Sequence, residues 1–386
     1  MSMKEHSMNN ETMTSRQRVL AAVNRQPVDR MPIDLGVHFS TGISVFAYRR
    51  LREHLGLATD RIEIVDPVQM LARVDEDILE RFHCDAILLN PAGKNLKRWH
   101  IRDRDDFLID GTINPVLNEN GDWIVTNGSR RMRMPVGGFF FDGDWISASD
   151  EASEEEKLRA WARRAEYLYK ETDYFTLEMG FSAYFGGMDF ACDILTDPED
   201  IAARQEDDLA RNLNRIEKII RSYGRYIQAI EVNSDLGTQQ SPYLRPDTYE
   251  QFVQPYLQRF CSFVHANSDI KIFLHSCGSI APLIPNIITA GVDILNPVQI
   301  SAAGMDPRTL KQRFGSQICF WGGGCDTQNV LPWASPAEVS RHVQSMIEIF
   351  KPGSGFVFNQ VHNIMGNIPP ENVIAMLDTA YANSFS

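Results

Sequence analysis

The sequence predicts an α/β protein, a (β/α)₈ TIM barrel with an antiparallel hairpin inserted near residues 111–141. From about residue 170, short β-prone apolar runs alternate with segments of helical periodicity, which is the pattern of βα units around a parallel sheet. Two further β-prone runs near the N-terminus bring the number of strands to the eight that a closed barrel needs. A doubly wound open sheet is the alternative.

The predicted strands and helices alternate along the chain. The strands are Pro32–Leu35, Asp85–Asn90, Tyr174–Glu178, Ile227–Val232, Lys271–His275, Asp293–Asn296, Gln317–Trp321 and Gly355–Asn359. Helices are predicted near residues 43–56 and 68–82. Later ones are predicted to begin at Asp247 after Pro246, at Pro307, at Pro336 and at Pro369-Pro370.

Residues 111–141 do not fit this alternation. The pairs Asn120-Gly121 and Asn127-Gly128 are turn sequences between β-prone pieces, so we expect an antiparallel hairpin that serves as a lid or an oligomer contact. The acidic run Asp150–Glu156 that follows predicts a solvated helix.

Composition limits the class of protein. The chain has 386 residues, 43% of them hydrophobic, and a formal charge of −13 without a basic block, which argues against nucleic acid as a partner but allows a protein with a basic face. We expect one domain over residues 14–386 after a disordered lead-in over residues 1–13. There is no apolar run of about 18 residues and no signal-peptide pattern, so membrane association is not expected. Six dispersed cysteines are typical of a reduced, cytoplasmic protein, and a homo-oligomer is left open.

The run Lys271–Gly278 (KIFLHSCG) holds the most informative candidate site. A β-prone segment ends in His275, and Cys277 follows two residues later, where side chains point the same way if the strand geometry continues. Imidazole and thiolate are zinc ligands, and the active sites of these barrels lie at the carboxyl ends of the strands. A hydrogen-bonded histidine beside a buried cysteine is the alternative.

A second cysteine follows a later strand, in the run Trp321–Asp326 (WGGGCD). Its glycines let the backbone approach a metal or a ligand, and strand ends can converge above the barrel. We therefore predict His275, Cys277 and Cys325 as zinc ligands, with the open fourth position of a catalytic site. A packing thiol at a turn is the alternative for Cys325.

Polar residues follow other predicted strands. Glu231, Asp235 and Gln239 follow the fourth strand, where a carboxylate can complete a metal shell, orient a ligand or carry a proton, unless it only caps the loop. His362 follows the eighth strand as a spare ligand, a general acid or a loop histidine. Asp235 and His362 are the predicted catalytic residues, and His38 after the first strand ranks below them.

Together these motifs resemble the uroporphyrinogen decarboxylase superfamily, and within it the corrinoid-dependent methyltransferases, such as methylcobalamin:coenzyme M methyltransferases and related demethylases. The resemblance spans roughly residues 14–383 and rests on Ser15–Pro32, His275–Gly278, Trp321–Asp326, Phe358–Asn363 and Pro369–Asn372. The decarboxylases need an arginine-rich motif near the N-terminus, whereas the matching segment Asp34–Gly42 contains no arginine.

The resemblance implies a zinc-dependent methyltransferase with Zn²⁺ and a corrinoid (cobalamin) that a partner protein supplies, because this chain has no corrinoid-binding module. The expected reaction transfers a methyl group from a small methylated substrate, with a methyl ether as one candidate, to the corrinoid protein. The reverse direction, in which a thiol that zinc holds as thiolate accepts the methyl group from the corrinoid, is also open.

The resemblance also leaves two points open. In the coenzyme M enzymes the second cysteine follows the last strand, where this chain has Gln360-Val361-His362. Cys325 and His362 are therefore both candidates for the third zinc ligand. The alternative functions are a uroporphyrinogen decarboxylase-like lyase and a non-enzymatic zinc- or tetrapyrrole-binding protein.

Overall fold

The structure is a computed structural model that describes residues 11–385 except 92, 94, 102–104, 150 and 151. At its centre lies a parallel sheet in which each strand pairs with the next strand along the chain. Its six strands are Leu177–Ser182, Ala229–Asn233, Lys271–His275, Ile294–Asn296, Cys319–Trp321 and Phe356–Val357.

Two single parallel bridges close this sheet into a barrel. Ile33 pairs with Phe358 beyond the last strand, and Ala86 pairs with Phe175 before the first. The backbone N–H of Asp85 donates to the carbonyl of Ile33 over 2.7 Å and joins the two added segments. The predicted (β/α)₈ barrel is therefore confirmed, and the segments at Ile33 and Ala86 complete its ring of eight.

Helices surround the barrel. The described helices are Ser15–Val23, Val45–His54, Glu76–Arg81, Glu154–Glu171, Gly187–Thr196, Pro198–Tyr223, Pro246–Phe252, Gln254–Asn267, Ile284–Thr289, Pro307–Phe314, Pro336–Phe350 and Pro370–Ala382, with 3₁₀ turns at Gly224–Tyr226 and Ala281–Leu283. The helices expected at Pro307, Pro336 and Pro370 begin at those prolines, and the helix expected to begin at Asp247 begins one residue earlier, at Pro246. Within the part of the chain that the structure describes, no helix combines the length and the apolar character that crossing a bilayer requires.

The predicted antiparallel insertion is present and larger than expected. Residues 116–143 form a four-stranded antiparallel sheet with strands Val116–Leu117, Trp123–Asn127, Arg130–Met134 and Asp142–Gly143. A preceding hairpin, Leu96–Ile101 with Asp105–Asp110, was not predicted, because charged residues interrupt its β-prone pattern.

Three other predictions differ from the structure or lie partly outside the residues that it describes. The helix expected near residues 68–82 is only Glu76–Arg81, because Asp66 Oδ1 accepts the N–H of Val68 in a turn between the antiparallel strands Ile64–Asp66 and Leu71–Ala72. Within the acidic run, residues 150 and 151 lie outside the described residues, and the helix begins after the Ser153 cap. Residues 1–10 of the expected lead-in also lie outside the described residues, whereas Asp29 accepts the N–H groups of Thr12 and Met13.

Apolar side chains fill the barrel below the site. Phe273, Ile294 and Trp321 belong to one buried cluster, which Val19 of the first helix joins. His275 lies two residues beyond Phe273 on the same strand, so its side chain points to the same interior side. The apolar core of the barrel therefore ends just below the polar residues at the carboxyl ends of the strands.

Candidate metal centre

His275 is the last residue of the Lys271–His275 strand, and only 6% of its surface is exposed. Its Nδ1 lies 2.9 Å from Oδ1 of Asn296, the last residue of the neighbouring strand. The Asn296 amide nitrogen donates to the carbonyl of Trp321 over 3.0 Å, which fixes the orientation of the amide. The His275 Nδ1 therefore carries the proton, and the lone pair of Nε2 is free to bind a metal.

Cys277 follows in a tight turn after the end of the strand. Its backbone N–H donates to Asp235 Oδ1 over 2.9 Å, and the N–H of Gly278 donates to Gln299 Oε1 over 2.7 Å. Gly278 has a φ of +94°, and a Cβ there would lie 2.3 Å from the Gly237 carbonyl oxygen. Only glycine fits this position, so the turn that presents Cys277 depends on it.

His362 approaches the same point from the last strand end. Its φ of +59° is in the left-handed region that non-glycine residues rarely adopt. Hydrogen bonds hold both neighbours, because the N–H of Val361 donates to the Cys325 carbonyl and Asn363 Oδ1 accepts the N–H of Gly42. Such a conformation persists where the surroundings enforce it, and it clusters at functional sites.

The structure brings His275, Cys277 and His362 together. Their ligand atoms all lie within 4.8 Å of one another, and the His275 Nε2 to Cys277 Sγ distance is 3.8 Å. Among the described residues this is the one group of three or more histidine, cysteine or acidic side chains close enough to hold a metal ion. Two imidazoles and one thiol are a donor set that suits zinc with an exchangeable fourth position.

Cys325 does not join this group. Its side chain is fully buried in the hydrophobic core, and its Sγ lies 4.0 Å from the Asp326 carbonyl oxygen. Burial raises the pKa of the Cys325 thiol. Of the three residues predicted as ligands, the structure therefore assembles His275 and Cys277, and His362 occupies the place expected for Cys325.

Asp235 lies beside the group. Its Oδ1 lies 3.9 Å from His275 Nε2 as well as accepting the Cys277 N–H, and its side chain is 58% exposed. It can therefore orient the Cys277 turn and also reach a ligand in the cavity. Its predicted catalytic role stays a prediction.

Burial sets the protonation of the three candidate ligands. Burial, together with the nearby His275, lowers the pKa of His362 to about 3, and burial likewise lowers the pKa of His275. Both imidazoles are thus neutral at pH 7 and can donate lone pairs. Burial, reinforced by the Asp235 carboxylate, raises the pKa of Cys277, so the thiol keeps its proton until a cation binds.

A cavity of about 560 Å³ opens beside the group. Phe39, Trp145, Trp161 and Met179 contribute an apolar wall, while His275 and His362 lie in the polar part. The described lining contains neither lysine nor arginine, and its charged carboxylates are Glu231 and Asp235. The cavity therefore suits a small ligand of aromatic size without negative charge.

Glu231 and His38 form a buried pair in the same wall. Glu231 Oε1 lies 3.1 Å from His38 Nε2, and Oε2 accepts the N–H of Gly180 over 2.7 Å. Burial opposes ionisation of Glu231, but His38 and the Gly180 N–H outweigh it and lower the pKa of this carboxyl. Glu231 and His38 were both predicted as candidate site residues, but their pairing was not. Ser40 and Asn296 were not predicted as site residues. The position of Asn296 at a predicted strand end was the available signal.

Part of the chain matches a known protein family. Residues 204–382 match the uroporphyrinogen decarboxylase (URO-D) family, and this range contains His275, Cys277, Cys325 and His362. The resemblance that the motifs indicated is therefore confirmed over residues 204–382.

Individual relatives match over shorter segments. The chain is 26% identical to a uroporphyrinogen decarboxylase of Thioalkalivibrio sulfidiphilus (strain HL-EbGR7) over 36% of this chain and 38% of the relative. It is 30% identical to a uroporphyrinogen decarboxylase of Serratia proteamaculans (strain 568) over 22% of this chain and 24% of that relative. The matches thus span well under half the length of these relatives.

A solved structure covers nearly the whole chain. A methyltransferase from Methanosarcina mazei superposes with a TM-score of 0.59 over 96% of this chain and 99% of its own, at 14% sequence identity. At this identity the likeness shows a shared fold.

Proposed function

We propose that the protein is a zinc-dependent methyltransferase that moves a methyl group between a small methylated substrate and a corrinoid protein. The observation that carries the proposal is the convergence of His275, Cys277 and His362 at the barrel mouth, the end of the barrel where its strands terminate. Catalytic zinc sites have three protein ligands and one open position. A bound zinc supplies a Lewis acid that holds a thiol as thiolate or makes an ether oxygen a better leaving group.

The residues of the chain have separate tasks in this proposal. His275 and His362 donate neutral imidazole lone pairs, and Cys277 releases its proton as the cation binds. Asp235 holds the Cys277 turn through the backbone N–H and is positioned to take up the released proton. We assign His362 as the third ligand in preference to Cys325, because Cys325 lies in the hydrophobic core.

The charge of the cavity favours this function over a decarboxylase-like lyase. Binding a polycarboxylated porphyrinogen calls for cationic side chains, and the described lining provides none, while Glu231 and Asp235 add negative charge. The aromatic wall of Trp145, Trp161 and Phe39 instead suits an uncharged methyl ether. A zinc ion held by His275, Cys277 and His362 would also favour an ether as the substrate, because the ether oxygen has a lone pair that a Lewis acid can bind.

The proposed partner is a corrinoid protein. The support for it is the shared fold with the methyltransferase from Methanosarcina mazei and the position of the metal group at the open end of the barrel. The acidic net charge of −13 is compatible with a partner that has a basic docking face.

The test is methyl transfer with free cobalamin in place of the partner. Zinc-loaded protein is incubated with cob(I)alamin and methoxybenzene, and separately with methylcobalamin and 2-mercaptoethanol, and the cobalamin absorbance is followed. We expect methyl transfer in one of the two directions with wild type and none with Cys277→Ser. Turnover of uroporphyrinogen without methyl transfer would instead establish the lyase. Tight zinc binding without either reaction would favour the non-enzymatic binding protein.

A further inference from the structure

A buried chain of hydrogen bonds lies behind His275, outside the metal group itself. Ser40 Oγ donates to Asn296 Oδ1 over 2.8 Å, and the Ser40 backbone N–H donates to His38 Nδ1 over 3.0 Å. The His38 ring continues the chain to Glu231, whose other oxygen accepts the Gly180 N–H. Ser40, His38, Glu231 and Asn296 each have no more than 4% of their surface exposed.

The direction of these bonds follows from the fixed groups at its ends. Asn296 Oδ1 faces both His275 Nδ1 and Ser40 Oγ, because its amide nitrogen is used by the Trp321 carbonyl. An amide oxygen has two lone pairs and can accept from both. The single Ser40 hydroxyl proton goes to Asn296 Oδ1, so Ser40 is linked to His38 through its backbone N–H. Because this N–H donates to His38 Nδ1, the His38 proton lies on Nε2 and points to Glu231.

We propose that Ser40 and Asn296 are positioning residues that hold the His275 ring with Nε2 aimed at Cys277 and His362. His38 and Glu231 anchor the Ser40 end of the chain. The inference rests on the proposed function in one respect, namely that a metal occupies the group. It assigns a role to buried residues that themselves contribute no ligand atom to the group.

The geometry explains why one hydroxyl matters. Ser40 belongs to the segment after the first barrel strand, and Asn296 ends the sixth, so their bond crosses the barrel. Without the Ser40 hydroxyl, the Asn296 oxygen keeps His275 as its one partner on that side, and the amide and the imidazole can turn together. Loss of such an outer partner typically lowers metal affinity about 10- to 100-fold.

The test compares two buried serines four positions apart. Ser40→Ala removes the hydroxyl of the chain, whereas Ser44→Ala removes a buried hydroxyl that has no hydrogen-bond partner among the described residues. Zinc affinity is measured by competition with a chromophoric chelator, the geometry of the site by the visible spectrum of the Co²⁺ form, and folding by the melting temperature.

We expect Ser40→Ala to bind zinc about tenfold more weakly or worse, with an altered Co²⁺ spectrum and a melting temperature close to wild type. Ser44→Ala should match wild type in zinc affinity and Co²⁺ spectrum, and Ser40→Thr, which keeps the hydroxyl, should restore most of the affinity. Unchanged affinity and spectrum in Ser40→Ala, with wild type binding zinc, would overturn this inference alone. Wild type that binds no zinc would contradict the proposed function as well.

Discussion

Two segments of the barrel mouth place a cysteine after a strand, but with opposite results. In His275–Gly278 the half-buried Cys277 lies beside the two histidines His275 and His362. In Trp321–Asp326 the fully buried Cys325 points into the hydrophobic core. The two patterns are alike in sequence, and both predicted a zinc ligand.

The path of the backbone after each strand produces the difference. The three glycines of the second segment let it lie directly against the last strand, where Gly324 donates to the Asn359 carbonyl and a Cβ at Gly324 would meet the Phe358 ring at 2.4 Å. This path buries the thiol of Cys325, while its carbonyl accepts the N–H of Val361 and so supports the segment that presents His362. A cysteine near a strand end therefore meets other potential ligands only if the turn after the strand directs its side chain toward them.

Substitution of the two cysteines should give the largest difference. We expect Cys277→Ser to lose bound zinc and methyl transfer, because it removes a ligand. Cys325→Ser should keep one zinc per chain but lower the free energy of unfolding by about 1–3 kcal/mol, because a hydroxyl is then buried among apolar side chains. Metal analysis and urea unfolding measure both effects. Zinc lost from Cys325→Ser that folds normally would remove the distinction between the segments.

Substitution of one glycine in each turn should give the second-largest difference between the two segments, in stability and zinc binding. Gly278→Ala places a Cβ against the Gly237 carbonyl at a φ of +94°, so we expect a loss of more than about 2 kcal/mol in unfolding free energy together with weaker zinc binding. Gly323→Ala, at a φ of +83° and 2.9 Å from Val298 Cβ, should destabilise the fold while the folded fraction keeps its zinc. Normal zinc affinity in Gly278→Ala would show that the turn does not position Cys277.

Alkylation of the metal-free protein should give the smallest effect. Burial and the Asp235 carboxylate raise the pKa of Cys277, so less thiolate is present at a given pH and Cys277 should react with iodoacetamide more slowly than the exposed Cys192. Asp235→Asn keeps an oxygen for the Cys277 N–H but removes the charge, so the pH–rate profile of Cys277 should move to lower pH. Cys325 should not react until the protein unfolds.

Mass spectrometry of each labelled cysteine follows these rates between pH 7 and about pH 10. An unchanged profile of Cys277 in Asp235→Asn would mean that the carboxylate does not control this thiol. Rapid labelling of Cys325 in the folded protein would contradict its burial.

The barrel was predictable because its signals are local. Alternating β-prone runs and proline-initiated helices gave the strand Lys271–His275 and the helix starts at Pro307 and Pro336 as the structure has them. The strand predicted at Tyr174–Glu178 instead runs over Leu177–Ser182, since an irregularity in its pairing near Gly180, with a φ of +93°, lets it continue. Tertiary pairing set that boundary.

The site was predictable only in part, for the same reason. His275 and Cys277 share one strand end, so their spacing alone brought them together. His362 required the left-handed backbone that Val361 and Asn363 enforce, which no spacing in the sequence reveals. The supporting bond of Ser40 to Asn296 joins residues 256 positions apart, so it depends on closure of the barrel.

The most direct test of the account is the ligand set of bound zinc, read by X-ray absorption at the zinc edge of the wild-type protein. We predict one sulfur at about 2.3 Å and nitrogen or oxygen ligands at about 2.0–2.1 Å, unchanged in Cys325→Ser, whereas Cys277→Ser should retain no zinc to measure. Two sulfur ligands in the wild type, with one lost in Cys325→Ser, would contradict the assignment of His362 as the third ligand.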